Sequence, residues 1–437
     1  MYLHTPESKV LIDCGVNIAA GDNENAFPYL NIPEFSIQDL DAVVVTHAHL
    51  DHCGFVPYLY YMGYEGPIYC TPPTRDLMFL LHWDYLDVIE REGRQLPYAR
   101  TFIKKLLKYI IPLDYGEVTD ISPDIRLTLH NAGHILGSSI AHFHIGDGLY
   151  NLAYTGDIKF EKSKLFEPAN VRFPRLETLI TEGTYGGMND AQPSRREAEQ
   201  ELMRILNDTV SQGGKVLVPA FSVGRAQELM VVLDEYMNQG ILNRVPVFLD
   251  GMIWEATGIH TTYPEYLNKE LRDQIFHKGR NPFLAEVFKR VTGSTMRKEV
   301  IDGEPCIIIA TSGMLSGGPA IEYLKNLAED ARNILIFVGY QAEGSLGRRI
   351  QKGWKEIPMS DNGKTKIVQI NMGIHTIDGF SGHSDRNQLM NYLRRLNPRP
   401  ERFIVCHGEE SKCIELASAL YKTLRSETKA PQNLEVF

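Results

Sequence analysis

The sequence predicts an α/β protein in which one α/β unit is set into another. Three observations carry this. Short β-branched runs alternate with helix-like stretches along most of the 437 residues, which is the pattern of an α/β chain. From Pro193 to about Ile370 the repeating theme is strand, Gly-rich turn and helix, as in a doubly wound sheet. Outside that span the strands end in His, Asp or Glu, both before it and again near the C-terminus. A chain of this length exceeds one ordinary core, and it contains no repeat, low-complexity tract or flexible linker. An insertion therefore accounts for the pattern better than two domains in tandem.

The elements follow in order. Residues 41–46, Asp-Ala-Val-Val-Val-Thr, read as a buried strand. Gly54 supplies a turn, and residues 55–62 a helix. A long helix is expected at 76–92, then strands at 126–129, 149–154 and 178–181. In the inserted span, strands at 216–218, 245–249, 307–310, 334–338 and 367–370 alternate with helices at 196–210, 225–237 and 319–329. A helix at 385–396 and a strand at 403–405 return the chain to the first unit.

Composition narrows the function. A hydrophobic content of 43% and a charged content of 23% are those of an ordinary soluble protein. No apolar run approaches the roughly 18 residues that span a bilayer, and no signal peptide is evident, so the protein is expected to be cytoplasmic and away from membranes. The six cysteines form no C-x-x-C pair, which argues against a thiolate metal site or a disulfide framework. A net charge of −10 excludes a uniformly basic nucleic-acid coat but leaves room for a local groove. Four basic clusters qualify: Lys159-Lys162-Lys164, Arg195-Arg196, Arg348-Arg349-Lys352-Lys355 and Arg394-Arg395-Arg399-Arg402. Each by itself is more often a solvated face.

Residues 47–52 read His-Ala-His-Leu-Asp-His, four metal-ligating side chains at the mouth of a strand. On extended backbone His47, His49 and Asp51 share one side, and His52 joins them where the chain turns. Imidazole and carboxylate at this spacing suit zinc, and four such groups exceed what one catalytic ion takes from so short a loop. Two ions are the natural reading. His134 (in Gly-His-Ile-Leu-Gly-Ser), Asp157 (in Tyr-Thr-Gly-Asp) and His407 (in Cys-His-Gly-Glu) each follow a strand-like run, at the junctions where sites of this class assemble. A lone histidine there is more often structural; seven ligands together are enough for two ions.

This constellation resembles the metallo-β-lactamase fold, with Asp13 in Leu-Ile-Asp-Cys-Gly similar to its first acidic motif. Glu182 in Thr-Glu-Gly-Thr-Tyr-Gly resembles motif A of the β-CASP branch of nucleic-acid-processing nucleases. His383 in Gly-Phe-Ser-Gly-His-Ser-Asp resembles motif B. A histidine at 407, the motif C position, resembles the RNA-processing members. Residues 218–228, 312–319 and 339–348, the last including Glu343, are similar to archaeal homologues of the cleavage and polyadenylation specificity factor nuclease subunit. The resemblance covers essentially the whole chain.

It implies a metallo-β-lactamase αββα sandwich at residues 1–186 and 373–437, its N-terminal strand and any upstream KH domains missing, with an inserted β-CASP α/β domain at 187–372. It further implies one zinc on His47, His49 and His134, a second on Asp51, His52 and His407, and Asp157 between them. The implied activity is a ribonuclease: two-metal hydroxide attack on RNA phosphodiesters, endonucleolytic with 5′–3′ exonuclease action as a companion, in RNA 3′-end processing, transcription termination or decay. Asp51 would orient the nucleophile and His383 would protonate the leaving 3′-oxygen, held by Glu182. A catalytically silent RNA-binding scaffold and a small-molecule metallohydrolase are the competing readings. The seven ligands argue against the first, the large insertion against the second.

Substrate contacts are expected in the inserted span. Ser312, Gly313, Ser316 and Gly317 precede a helix opened by Pro319 and could hold a phosphate. Arg225 and Arg348 could add charge-assisted contacts, and Tyr185 and Tyr340 could stack a base. The expected partners are single-stranded RNA, the transcription or RNA-processing machinery and a second copy of the chain. The resemblance implies dimer contacts through C-terminal segments, weakened if the end at Phe437 is a truncation.

Overall fold

Strands with apolar side chains at alternate positions bury a face apiece, and strands from the two ends of this chain form two facing sheets. The computed structural model describes residues 1–20, 24–342, 344–361 and 364–437; Glu343 lies outside them. The chain divides into two units, Met1–Ala191 with His383–Phe437, and Gln192–Gly382.

In the first unit, one sheet has the order β1 (Tyr2–His4), β2 (Lys9–Ile12), β3 (Ala42–Val44), β4 (Ile68–Cys70), β5 (Ile110–Pro112), parallel from β2 onward. The other runs β20 (Glu427–Lys429), β19 (Arg402–Cys406), β10 (Thr178–Glu182), β9 (Tyr150–Tyr154), β8 (Ser139–Ile145), β7 (Ile125–Asn131), β6 (Val118–Ser122). It is parallel as far as β9 and antiparallel beyond. Leu127, Leu129, Phe143 and Ile404 of this sheet pack against Val10, Ile12 and Val44 of the first in one buried cluster. On the other face of the same sheet, Ile140, Leu179, Phe403 and Val405 lie beneath the helices Arg386–Arg395 and Glu410–Leu424. Each such side chain contributes about 1.5–3 kcal/mol by leaving water. With the helices Val56–Tyr61, Pro72–Arg91 and Arg100–Leu107 beside the first sheet, the layers run helix, sheet, sheet, helix.

The second unit is a parallel sheet ordered β13 (Phe288–Arg290), β12 (Val247–Asp250), β14 (Ile307–Ala310), β11 (Val216–Pro219), β15 (Ile334–Phe337), β18 (Gly373–Thr376). An antiparallel pair, β16 (Glu356–Asp361) and β17 (Lys364–Gln369), accompanies it. Helices at Arg195–Ser211, Arg225–Asn238 and Pro319–Leu327 alternate with the central strands. The first is started by a capping box between Ser194 and Glu197.

One expectation changes here. The strand read at 367–370 belongs to the β16–β17 pair, and the strand that completes the sheet is β18, whose Gly-Ile-His-Thr sequence carries little β signal. The two compact units meet at 191/192 and 382/383, and β18, paired with β15, lies in the second of them. The helices Ile253–Thr262, Lys269–Phe276 and Ser294–Asp302 were not anticipated. Among the described residues no helix is long and apolar enough to cross a membrane.

Candidate metal centre

The C-terminal ends of β3, β9, β10 and β19, with the loop after β7, converge in the first unit, and the sequence puts a ligand-type side chain on each. After β3 the chain does not stay extended through residue 52. It turns into the short helix Leu50–Cys53, so Asp51 and His52 reach the site from a helical turn that begins before Gly54. Asp157 follows β9 through Gly156, whose φ of 53° turns the chain there. A Cβ on Gly156 would stand 2.7 Å from Thr46 Oγ1.

Three groups of side chains present their ligand atoms to one another within 4.8 Å: His47, His49, His134 and Asp157; Asp51, His52, Asp157 and His407; and Asp157, Glu182 and His383. Asp157 belongs to all three. Its Oδ2 lies 3.4 Å from His47 Nε2 and 3.6 Å from His134 Nε2. Its Oδ1 lies 3.4 Å from both His52 Nε2 and His407 Nε2. Within the sets, His49 Nδ1 and His134 Nε2 are 3.1 Å apart, His52 Nε2 and His407 Nε2 3.2 Å, and His407 Nε2 and Asp51 Oδ2 3.6 Å. Ligand atoms about a tetrahedral cation with bonds of about 2.0–2.1 Å stand about 3.3 Å apart, so the spacing fits an ion in each set.

The proton arrangement fits as well. Asp13, buried behind the site with a φ of 54°, accepts from Thr46 N at 2.8 Å, Thr46 Oγ1 at 2.8 Å and His52 Nδ1 at 2.7 Å. A carboxylate can only accept, so His52 carries its proton on Nδ1 and leaves Nε2 bare toward the cluster. The Thr46 hydroxyl, its one proton given to Asp13, must accept from His47 Nδ1, 3.1 Å away. That leaves His47 Nε2 bare too. His47 Nε2 and Asp157 Oδ1 are both buried without a hydrogen-bond partner, as expected of atoms that meet a cation.

Electrostatics agree. Burial holds His47 and His134 below the usual imidazole range and His49 down to about 3, so all three are neutral donors. Burial opposes a charge on His52 too, but the carboxylates of Asp157 and Asp13 on either side outweigh it and raise its pKa well above the usual value, so Nε2 of His52 is bare only where a cation takes the place of its second proton. This half of the site draws positive charge.

Beside the cluster, Glu182 at the end of β10 is fully buried. Its Oε1 accepts from Ile158 N at 2.7 Å, and its Oε2 lies 3.0 Å from His383 Nδ1. Burial disfavours protonation of His383, yet Glu182 and Asp157 override it and raise the pKa to about 9. The backbone at His383 is held by Lys159, whose Nζ donates to His383 O at 3.0 Å, and by Ser384, whose N donates to Ile158 O at 2.8 Å. Tyr185 stands with its ring 6.2 Å from that of His383, and Lys412 lies over it.

Some expected contacts are engaged elsewhere. Arg225 is buried in the second unit against Glu228, to which Arg195 also pairs at 3.1 Å; an internal ion pair has claimed the guanidinium. Ser312 Oγ accepts from Ser316 N at 2.9 Å and contacts Ser316 Oγ at 3.1 Å, so the loop with Gly313 and Gly317 closes partly on itself. Arg348 is exposed on the helix Leu346–Gln351, and Tyr340 is 51% exposed. Lys159, grouped with a solvated basic cluster in the sequence, is 6% exposed. Its role and that of Thr46 escaped sequence reading, although Thr46 stands directly before His47.

Residues 1–220 match the family described as the metallo-beta-lactamase superfamily, 226–350 the Beta-Casp domain, and 367–431 the Zn-dependent metallo-hydrolase RNA specificity domain. The chain belongs to the metallo-β-lactamase superfamily, in its β-CASP branch. This β-CASP chain is 61% identical over 436 residues to transcription termination factor FttA of Methanothermobacter thermautotrophicus, covering 100% of the chain and 69% of that protein. It is 63% identical over 437 residues to the FttA of Methanocaldococcus jannaschii and 57% over 443 residues to that of Thermococcus kodakarensis, covering 68% of each. Among solved structures, a protein of unknown function from Enterococcus faecalis V583 matches with a TM-score of 0.57 at 14% identity, over 99% of this chain and 95% of that one. That likeness concerns the fold alone. The β-CASP chain is thus built of metallo-hydrolase domains with an RNA specificity segment, and its His/Asp cluster offers side chains that could hold the metal ions of such a domain.

Proposed function

We propose that this β-CASP protein is a zinc-dependent ribonuclease acting on single-stranded RNA in transcription termination, the process named for its relatives. The observation that carries the reading is the position of Asp157, with one oxygen toward each of two ligand sets and the Glu182–His383 pair alongside. In this reading His47, His49 and His134 hold one zinc and Asp51, His52 and His407 the other. Two such cations would lower the pKa of a shared water toward neutrality and offset the charge that gathers on the attacked phosphoryl group.

The chain's own groups do the rest. Burial pushes the Asp51 carboxyl up, but His52 and His407 pull it below its usual value, so it is ionised and able to orient a water or take its proton. His383, cationic at neutral pH, gives a proton to the leaving 3′-oxygen, and Glu182 holds its ring in line. Water as nucleophile leaves 5′-phosphate and 3′-hydroxyl ends and needs no 2′-hydroxyl, so RNA preference comes from the contacts along the strand. In the inserted unit, the exposed Arg348 is a candidate for such a contact. The protein works in the cytoplasm as a homodimer alongside the transcription machinery.

End-labelled RNA carrying a 5′-triphosphate or a 5′-monophosphate tests this. Internal cuts independent of the 5′ group mark endonuclease action, and monophosphate-dependent release of single nucleotides marks 5′–3′ exonuclease action. Cleavage that survives removal of all bound metal would overturn the reading, and the metal content of the purified chain should be close to two zinc per protomer.

A further inference from the structure

One basic cluster of the sequence, Arg348-Arg349-Lys352-Lys355, is not used by the metal centre, and in the second unit it borders a cavity. The helix Leu346–Gln351, capped by Ser345, ends at Gly353, whose φ of 93° reverses the chain. Trp354 N then donates to Arg349 O at 3.1 Å, and the Arg349 guanidinium lies 5.2 Å from the indole centroid. The indole remains 50% exposed. Next to it opens a cavity of about 690 Å³ with Trp354, Ile350, Ile370 and Ile374 on its walls and Gln351 and Lys355 among its polar groups. Its far wall, from Ile370 to Thr376, falls in the segment that matches the RNA specificity domain at 367–431.

A volume of this order suits a small planar ligand. The lining combines an aromatic face, apolar walls and amide groups with a cation, and among the described residues it includes no carboxylate. Apolar walls alone would suit a protein side chain. An indole face with Arg349 and Lys355 on one flank suits a heterocycle attached to phosphate.

We propose that this cavity takes one base of a single-stranded RNA, stacked on Trp354, with the adjoining phosphates drawn to Arg349 and Lys355. The inference rests on the RNA-cutting reading above and adds, in the second unit, a site that holds a base of the RNA. Because Trp354 is half exposed, its replacement leaves the core intact.

Stopped-flow anisotropy of a labelled single-stranded RNA, read ahead of cleavage on the full metal-loaded chain, tests it with Trp354→Ala and Trp354→Phe. The Ala variant should bind roughly 10-fold more weakly and the Phe variant nearly as well as the parent, since a stacked base contributes on that order. RNA should also quench the indole emission that is lost in Trp354→Phe. An Ala variant that binds as tightly as the parent, with cleavage intact, overturns the cavity assignment alone and leaves the pocket to an apolar protein side chain. A parent chain that binds no RNA overturns this inference and the nuclease reading together.

Discussion

Replacing Asp13 by Asn tests how the centre is built, because the substitution keeps the shape and inverts the hydrogen bonding. Asp13 accepts three hydrogen bonds, from Thr46 N, Thr46 Oγ1 and His52 Nδ1, at 2.8, 2.8 and 2.7 Å. In the Asn variant the amide oxygen still accepts from Thr46 N, but an NH2 group stands where Oδ2 stood and faces two donors. The relaxed answer is for both to reverse. His52 shifts its proton to Nε2, and Thr46, now accepting from Asn, donates to His47 Nδ1 and drives the His47 proton to Nε2 as well. Those two Nε2 atoms lie 3.4 Å from Asp157 Oδ1 and Oδ2 respectively. One substitution thus protonates a ligand in each metal set.

Loss of such orienting groups lowers metal affinity roughly 10–100-fold, or about 1.4–2.7 kcal/mol for each ion. The assay is competition for zinc between the stripped protein and a chromophoric chelator, with bound metal counted by mass spectrometry. Asp13→Asn should weaken both sites while the folded chain keeps its circular dichroism. Unchanged affinity at both would show that Asp13 does not set the tautomers. Weakening of the His52 site alone would show that Thr46 does not relay to His47.

Three other outcomes are expected. His383→Ala should keep both metals and RNA affinity but lose about 10²–10⁴-fold in cleavage rate; because the acid form is needed and the pKa is raised to about 9, wild-type activity should hold below that pH and fall as pH rises through it, a limb absent from the variant. His82, buried with Nε2 donating to Cys53 O at 2.8 Å, has its pKa lowered to about 4 by burial, so its contribution to stability is whole above the unfolded value near 6.5 and is lost as pH falls from there toward 4. That amounts to about 2 kcal/mol between about pH 7 and pH 5; His82→Leu should be less stable at neutral pH but lack this acid loss in chemical-denaturation curves. Gly156→Ala, forced to φ 53° with its Cβ against Thr46, should cost about 1–3 kcal/mol in stability and weaken zinc binding, and an unaltered melting curve with full metal content would refute the argument.

Much of this was legible in the chain. The seven ligand-type residues follow strands, directly or through a short loop or helical turn, and a strand end is readable because apolar runs such as Val43-Val44-Val45 and Phe403-Ile404-Val405 stop abruptly. The helices at 195–211, 225–238 and 386–395 were found within a residue or two, since capping residues such as Ser194 and Asp385 mark their starts. What stayed hidden depends on tertiary partners. β18 becomes a strand by pairing with β15, and nothing in Gly-Ile-His-Thr announces that edge. Arg225 reads as an exposed cation until Glu228 is seen beside it in the interior.

Lys159 carries the same lesson to the chemistry. In the sequence it stands among lysines and looks solvated, yet two residues after Asp157 it turns inward to hold the carbonyl of His383 from a segment 224 residues away. The proposed metal ligand and the proposed acid are therefore tied through one short stretch: Asp157 lies between the two ligand sets, Ile158 N anchors Glu182, and Lys159 anchors His383. A shift of the β9 end would move all three together. That linkage explains why a carboxylate between the two ligand sets and an acid for the leaving oxygen can keep a common spacing when His383 enters from a part of the chain so distant in sequence.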